Sequence, residues 1–174
     1  AWLISTLPRA LDIIGESARR RLGRDLSLTE EELERLDHIA RSLHVPFHDD
    51  GIISQYDGYE RLQEIDWDRY REKYDDVQRM DRILEAEGDS PARYKVAKQA
   101  DVLILFYLLS AEHLSELLER MGYEFRGEQI PRNVEYYLER TSHGSTLSRI
   151  VHAWVLARSD RQASWSLFQQ SLRS

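Results

Sequence analysis

Several features that would assign this 174-residue sequence to a familiar class are missing from it. It has no cysteine, which excludes disulfide bonds and thiolate metal sites within the chain. Its 31 acidic residues outnumber 24 basic ones, and the net charge of −7 disfavours binding to nucleic acid or to an anionic membrane. The N-terminal residues lack the basic, apolar and small-residue pattern of a signal peptide, so we expect a cytoplasmic protein.

Long apolar runs and strand patterns are also scarce. The longest wholly apolar run, residues 102–109, is far shorter than the roughly 20 residues that a membrane-spanning helix requires, and we expect it to form a buried core helix. Apolar residues recur instead at helical spacing, as in Leu33, Leu36, Ile39 and Leu43. The pattern predicts an all-α fold of seven or eight helices in antiparallel pairs, as in α/α barrels and solenoids.

Local signals predict where several helices begin and end. Thr29 followed by Glu32 indicates a capping box, and Gly122 is placed to end a helix. Helices are predicted over residues 66–87 and 93–109, and a long loop over residues 46–59. Further helix starts are predicted at Ser110, Pro131, Ser145 and Asp160.

Lys98 and Gln99 are the first candidate site residues. On the predicted helix they lie one turn before the apolar run, at the junction between a polar mouth and a buried core. An ammonium and an amide in such a place can hydrogen-bond the vicinal hydroxyls of a sugar. The alternative is that Lys98 with Asp101, or Lys95 with Gln99, are ordinary surface neighbours at helical spacing.

Residues 140–148 form the second candidate. A histidine, a glycine and several hydroxyl residues stand directly before an apolar helix. Free backbone donors and the positive end of the helix dipole favour anion binding at such a helix start. The alternative is a simple helix cap, in which Ser145 or Thr141 satisfies the helix end and His143 is an exposed ring.

Other kinds of site are disfavoured. His44, His48, Asp49 and Asp50 could suggest a metal site, but Pro46 breaks the helix that would align the two histidines, so we predict no metal. The sequence also has no Gly-rich phosphate loop and no nucleophile motif. We therefore predict no cofactor.

Two stretches, residues 94–102 and 140–148, together resemble signature stretches of glycoside hydrolase family 65 in order and separation. The similarity extends to residues 45–59 and 151–154. The resemblance implies that residues 1–174 are the C-terminal portion of an (α/α)6 catalytic barrel. It further implies an inverting phosphorylase that cleaves an α-linked glucose disaccharide such as maltose, trehalose or kojibiose with inorganic phosphate.

The resemblance also assigns roles to residues. Lys98 and Gln99 would bind hydroxyls of the glucosyl unit, and His143, Ser145 and Thr146 would line the phosphate pocket. Thr146 stands where many relatives have a second serine, and Gly144 where they often have an acidic residue. Selectivity at the pocket rim is therefore expected to differ.

The family's general acid is a glutamate in an Asp-Glu-Tyr-His-like stretch upstream of the matched region, and this chain contains no such stretch. We therefore expect no catalytic residue here, an inactive isolated chain, and exposed apolar faces that pack on the rest of the barrel or on a second copy. Two alternatives are a family 65 hydrolase that uses water and a noncatalytic helical domain.

Overall fold

The computed structural model describes residue 6, residues 10–11 and residues 13–173. Over this part of the chain it contains nine α-helices, joined by irregular segments and by short 3-10 turns. The helices are α1 (Glu16–Asp25), α2 (Glu30–Ser42), α3 (Trp67–Lys73), α4 (Met80–Ala86), α5 (Asp101–Leu108), α6 (Ala111–Arg120), α7 (Ile130–Leu138), α8 (Thr146–Leu156) and α9 (Arg161–Ser171). The 3-10 turns are Tyr59–Arg61, Pro91–Arg93 and Gly127–Gln129.

Strands are absent from the described residues, where β-pairing is limited to isolated bridges. The prediction of an all-α fold is therefore confirmed, as expected for part of an (α/α)6 barrel. Within the same residues, no helix combines the length and the apolar character that a bilayer crossing requires.

Several helix ends lie where capping residues in the sequence predicted them. Thr29 Oγ1 accepts a hydrogen bond from the Glu32 N–H at 3.2 Å, and a Glu32 carboxylate oxygen accepts from the Thr29 N–H at 2.8 Å. This reciprocal pair is the predicted capping box of α2. Asp160 caps α9 by accepting from the Ala163 N–H at 2.9 Å. Gly122, with φ of 86°, ends α6 in the left-handed conformation that glycine adopts without strain.

The described residues form two compact units. The first comprises residues 1–44 and 112–125 and includes α1, α2 and all but the first residue of α6. Arg120 on α6 pairs with Asp37 on α2 at 3.5 Å. The buried apolar residues of these two helices are Leu33, Ala40, Leu114 and Leu118.

The second unit comprises residues 45–111 and 126–174 and contains every candidate site residue. Helix α8 is central to it, because α8 packs against α5, α7 and α9. Its core is built by large side chains that are almost inaccessible to solvent, among them Leu103 on α5, Tyr137 on α7 and Val151 on α8. Residues at the start of α8 are therefore held by several helices at once.

The single helix predicted over residues 66–87 is wrong, because the structure contains two short helices, α3 and α4. The chain leaves α3 at Tyr74, whose backbone is extended, and the Asp76 carboxylate then accepts a hydrogen bond from the Gln78 N–H at 2.8 Å. A short side chain that binds the nearby backbone in this way competes with helical hydrogen bonds. This extra break is one reason why more helices form than the predicted seven or eight.

Complete burial of the apolar run at residues 102–109 was also a wrong prediction. Leu103 is fully buried, but Tyr107 and Leu108 are 38% and 67% exposed. Only one side of α5 packs against α7 and α8, and its other side borders an apolar groove of about 500 Å³. Trp154, Trp165 and Phe168 line the same groove. Exposed apolar surface of this kind is what the partial-barrel interpretation predicts.

The loop predicted over residues 46–59 is present and is attached to α7 by buried polar groups. Asn133 Oδ1 accepts from the Ile53 N–H at 2.8 Å, and the Tyr137 hydroxyl donates to the Ile53 carbonyl at 2.5 Å. Gly51 and Gly58 have φ of 83° and 87°, which allows the chain to turn sharply on both sides of Ile53. The loop is therefore fixed on the helix that leads into residues 140–148.

Candidate functional site

Lys98 and Gln99 lie in the lysine segment, residues 94–102, and not within a helix as the sequence predicted. Residues 94–100 are irregular, and α5 begins only at Asp101. The reason is a long-range backbone pairing, because the Ala97 N–H donates to the Arg140 carbonyl at 2.9 Å. An N–H engaged in this way is not available for a helical hydrogen bond.

The side chains of the pair differ in environment. Lys98 is exposed, and its ammonium makes no hydrogen bond or ion pair with any described residue. Gln99 is partly buried and donates from Nε2 to Asp101 at 3.3 Å. Lys95 does not pair with Gln99, as one form of the surface-neighbour alternative predicts. The Lys95 ammonium instead donates to the Glu64 carboxylate at 3.0 Å.

The second candidate is the histidine segment, residues 140–148, which joins α7 to α8. Thr141 does not cap α8, since its hydroxyl donates back to the Tyr137 carbonyl at 2.6 Å. Ser145 occupies the N-cap position but makes no capping hydrogen bond with its side chain. The simple helix-cap interpretation is therefore wrong for both hydroxyls, and the Ser145 side chain is not used to close the helix end.

The two segments meet. The Ser142 N–H donates to the Ala97 carbonyl at 2.8 Å, and Ala97 and Thr141 form a parallel bridge. Beyond this bridge, the Ser145 hydroxyl donates to Gln99 Oε1 at 3.4 Å. The structure thus brings the predicted sugar-binding residue Gln99 to the predicted phosphate-binding residue Ser145.

Gly144 explains how the segments approach so closely. A Cβ atom added at this glycine would lie 2.5 Å from the Gln78 carbonyl oxygen and 3.1 Å from Lys98 Cγ. The first distance is far below van der Waals contact, and its partner is backbone that cannot simply rotate away. Glycine is therefore required by packing, and the side chain of Lys98 lies directly beside the histidine segment.

The ring of His143 is held in place and is not the exposed ring that the helix-cap alternative predicts. Its Nδ1 is 3.2 Å from the Ser148 hydroxyl, and its ring packs edge-on against His152 with centroids 4.5 Å apart. Burial, with smaller contributions from His152 and Arg149, lowers the pKa of His143 to about 3. The ring is therefore neutral at neutral pH and can offer a hydrogen bond but no positive charge.

A shared carboxylate fixes the start of both segments. One Glu64 carboxylate oxygen accepts from Lys95 at 3.0 Å and from Arg140 at 2.9 Å. Burial favours the neutral acid, but the hydrogen bonds from Arg140 and Lys95 outweigh it and lower the pKa of Glu64. The Arg140 guanidinium also lies 3.9 Å from the centre of the Tyr136 ring. Glu64 thus links Lys95 of the lysine segment to Arg140 of the histidine segment.

Three residues near this junction were missed by sequence reasoning. Ser148, Arg149 and His152 are all at least 95% buried on α8, although they are polar. His152 Nδ1 donates to the Ser148 carbonyl at 2.8 Å, and burial lowers the pKa of this ring too. A usable signal existed, because polar residues recur from Ser145 at helical spacing on an otherwise apolar helix.

The alternative metal site is not assembled. Among the described residues, no three or more acidic or histidine side chains cluster as metal ligands would. His48 and Asp50 lie in the loop on α7, where Asp50 pairs with Arg132 at 3.3 Å. Burial lowers the pKa of His48, because a partly enclosed imidazole resists protonation.

Comparison with known proteins shows the family of the chain. The glycosyl hydrolase family 65 central catalytic domain matches residues 1–174. The chain belongs to family 65. An uncharacterised glycosyl hydrolase of Mycobacterium tuberculosis is 53% identical over 173 residues, which are 99% of this chain and 13% of that protein.

Family 65 relatives with assigned activities are more distant. Trehalose 6-phosphate phosphorylase of Lactococcus lactis is 42% identical over 74% of this chain and 17% of its own length. Kojibiose phosphorylase of Halothermothrix orenii is 33% identical over 74% of this chain and 14% of its own length. The chain therefore spans less than a fifth of the length of each of these three relatives, and the activity of the whole protein is a proposal.

Lys98, Gln99, His143 and Ser145 lie at one junction in the second unit. The backbone of Thr146 begins α8, and its side chain lies outside the described residues. The roles assigned through family 65 stay predictions for all five.

Proposed function

We propose that the whole protein is an inverting glycoside phosphorylase that cleaves an α-linked glucose disaccharide with inorganic phosphate, giving β-glucose 1-phosphate and glucose. One observation carries the proposal, namely the contact of Ser145 with Gln99 at 3.4 Å beside Lys98. Phosphate must lie next to the anomeric carbon that it attacks, so sugar-binding and anion-binding groups have to be adjacent. The junction of the two segments meets this requirement.

The reaction breaks the bond between the glucosyl anomeric carbon and the glycosidic oxygen. A phosphate oxygen forms the new bond from the opposite face, which inverts the α configuration to β. The leaving oxygen takes a proton from a carboxylic acid, assigned here to a glutamate outside this chain. Phosphate is already an anion and needs no base, so the role of this chain is to bind and orient the two substrates.

Each binding residue has a distinct task in this proposal. The unpaired Lys98 ammonium and the Gln99 amide donate to hydroxyls of the glucosyl ring, while Ser145 and Thr146 donate to phosphate. His143 donates as a neutral ring, which agrees with its lowered pKa of about 3. The names of two relatives, trehalose 6-phosphate phosphorylase and kojibiose phosphorylase, support a disaccharide as the substrate class.

The decisive experiment measures cleavage of trehalose, trehalose 6-phosphate, kojibiose and maltose by the whole protein, with and without phosphate. We expect cleavage of one of them to require phosphate and to release β-glucose 1-phosphate. Equal cleavage without phosphate would instead establish a hydrolase. Absence of cleavage under both conditions would favour a noncatalytic domain and contradict the proposal.

Separate substitutions test the pocket assignment. In the whole protein, His143→Ala and Ser145→Ala should each raise the KM for phosphate at least about 10-fold, because each removes a hydrogen bond to the nucleophile. The KM for the disaccharide should change less than about threefold. Ser159→Ala, at an exposed serine beyond the end of α8, is the matched control and should change neither constant. Parallel increases in both constants would refute the assignment.

A further inference from the structure

The residues assigned to phosphate leave its charge without a counter-charge. Phosphate carries at least one negative charge at neutral pH, and protein sites for it usually combine hydrogen-bond donors with a cation. Ser145 and Thr146 contribute neutral hydroxyls, and His143 is neutral because burial lowers its pKa to about 3. None of these three residues supplies a positive charge, and Lys98, the cation beside the histidine segment, is assigned to the sugar.

Arg149 is a cation without a partner in the same region. It is 5% exposed, and its guanidinium forms no hydrogen bond or ion pair with any described residue. Burying an unpaired charge is costly, and buried arginines are normally paired. Arg140 illustrates the usual arrangement in this chain, since its largely buried side chain is bonded to Glu64 at 2.9 Å. Arg149 thus has no anionic partner among the described residues.

The position of Arg149 points to the junction. It lies one turn after Ser145 on α8, and helical side chains lean towards the turn that precedes them. Its charge also makes a small contribution to the lowered pKa of His143. A buried and unpaired guanidinium one turn after Ser145 is therefore placed to meet an anion at the junction.

We propose that Arg149 is a phosphate-binding residue, whose guanidinium provides the positive charge that neutral His143 cannot supply. This inference rests on the proposed phosphorylase function and adds to it the residue that makes the pocket selective for an anionic nucleophile. A planar guanidinium can donate two parallel hydrogen bonds to one phosphate, which a lysine ammonium cannot do. Arg149 is then paired when phosphate is bound.

The test uses the whole protein and inorganic phosphate. Arg149→Gln should raise the KM for phosphate at least about 30-fold, because it removes a buried charge-assisted contact. The KM for the disaccharide should change less than about threefold. Arg149→Lys keeps the positive charge but loses the two parallel hydrogen bonds of the guanidinium. It should raise the KM for phosphate about 10-fold. The control Arg158→Gln, at an exposed arginine near the end of the same helix, should change neither constant.

A second measurement separates binding from a structural role. Millimolar guanidinium should restore phosphate use to Arg149→Ala but should have no effect on Arg158→Gln. If Arg149 instead pairs with a carboxylate elsewhere in the whole protein, Arg149→Lys will leave the KM for phosphate unchanged and guanidinium will not rescue Arg149→Ala. Either result overturns the inference while the phosphorylase function stands. Cleavage that is independent of phosphate in the unsubstituted protein would instead reject the proposed function itself.

Discussion

The lysine segment and the histidine segment are both irregular stretches that lead into a helix, yet their environments are opposite. Lys98 is exposed and charged, and it makes no hydrogen bond or ion pair with any described residue. His143 is held between Ser148 and His152, and burial keeps its ring neutral. The lysine segment therefore presents an unpaired cation to solvent. The histidine segment holds neutral hydrogen-bond donors in fixed positions before any ligand binds.

This difference suggests a division of work. A sugar is neutral and well hydrated, so exposed donors can exchange water for its hydroxyls at little cost. An anion gains more from buried donors, because electrostatic attraction is stronger where water is excluded. The buried histidine segment suits phosphate for that reason, and the exposed lysine segment suits glucose.

The largest effect is expected where the segments touch. Gly144→Val places a Cβ 2.5 Å from the Gln78 carbonyl oxygen and 3.1 Å from Lys98 Cγ, so the histidine segment has to move relative to these neighbours. A displacement of about 1 Å can cost roughly 100-fold in rate. We expect kcat/KM for both disaccharide and phosphate to fall at least about 100-fold in the whole protein.

Gly23→Ala is the matched control for that substitution. Gly23 lies within α1, where an added Cβ meets only the Leu28 carbonyl at an ordinary 3.6 Å. Alanine favours the helix by roughly 1 kcal/mol over glycine, so activity should be unchanged and thermal stability slightly higher. If Gly144→Val were equally harmless, the two segments would not depend on each other.

A smaller and more selective effect is expected in the lysine segment. Lys98→Ala should lower kcat/KM for the disaccharide about 30-fold, because a charged hydrogen bond to the glucosyl ring is worth roughly 2 kcal/mol. Gln99→Ala should lower it about 10-fold. The fold should survive, since Lys98 is exposed. Kinetics with each substrate varied in turn provide the measurement.

The control for the lysine substitution is Lys73→Ala, on α3, where the side chain is bound to Glu87 in a different part of the second unit. Its removal should leave both kinetic constants unchanged. Unaltered turnover in Lys98→Ala would mean that Lys98 is only a surface residue. The proposed assignment of the sugar to the lysine segment would then be wrong.

Features set by neighbouring residues were the ones predicted correctly from the sequence. The capping box at Thr29, the helix end at Gly122 and the cap at Asp160 each depend on atoms within a few positions along the chain. Long-range pairing was invisible to that reasoning. Ala97 bonds to Arg140 and Ser142, so helical periodicity around Lys98 was overridden by a partner from another part of the chain.

Burial was the second source of error. The sequence indicated that residues 140–148 suit an anion, but it offered no means of deciding whether His143 is exposed or enclosed. Enclosure depends on Ser148 and His152 of α8, and on the packing of α8 against α5, α7 and α9. The same packing buries Arg149, which sequence reasoning passed over because arginine is usually a surface residue.

The last effect is on stability and not on catalysis, and it tests the buried character of the histidine segment through pH. The pKa of His143 is about 3 in the folded protein, against roughly 6.5 in an unfolded chain. Between these values the unfolded state binds a proton that the folded state refuses, so stability falls as the pH decreases. Above about pH 7 the ring is neutral in both states and contributes no pH dependence. At pH 5 the loss relative to pH 7 should be about 2 kcal/mol.

Thermal unfolding at pH 7 and pH 5 measures this loss, and comparison with His143→Gln isolates it from the titration of carboxylates and of His152. The Tm of the unsubstituted protein should fall further between the two pH values than that of His143→Gln. His38→Gln, at an exposed histidine on α2, is the matched control for the loss of an imidazole. An identical fall in His143→Gln would show that the ring is protonated as freely in the folded protein as in the unfolded one. The two segments would then share one solvent-exposed environment, and the reason for assigning phosphate to the buried one would disappear.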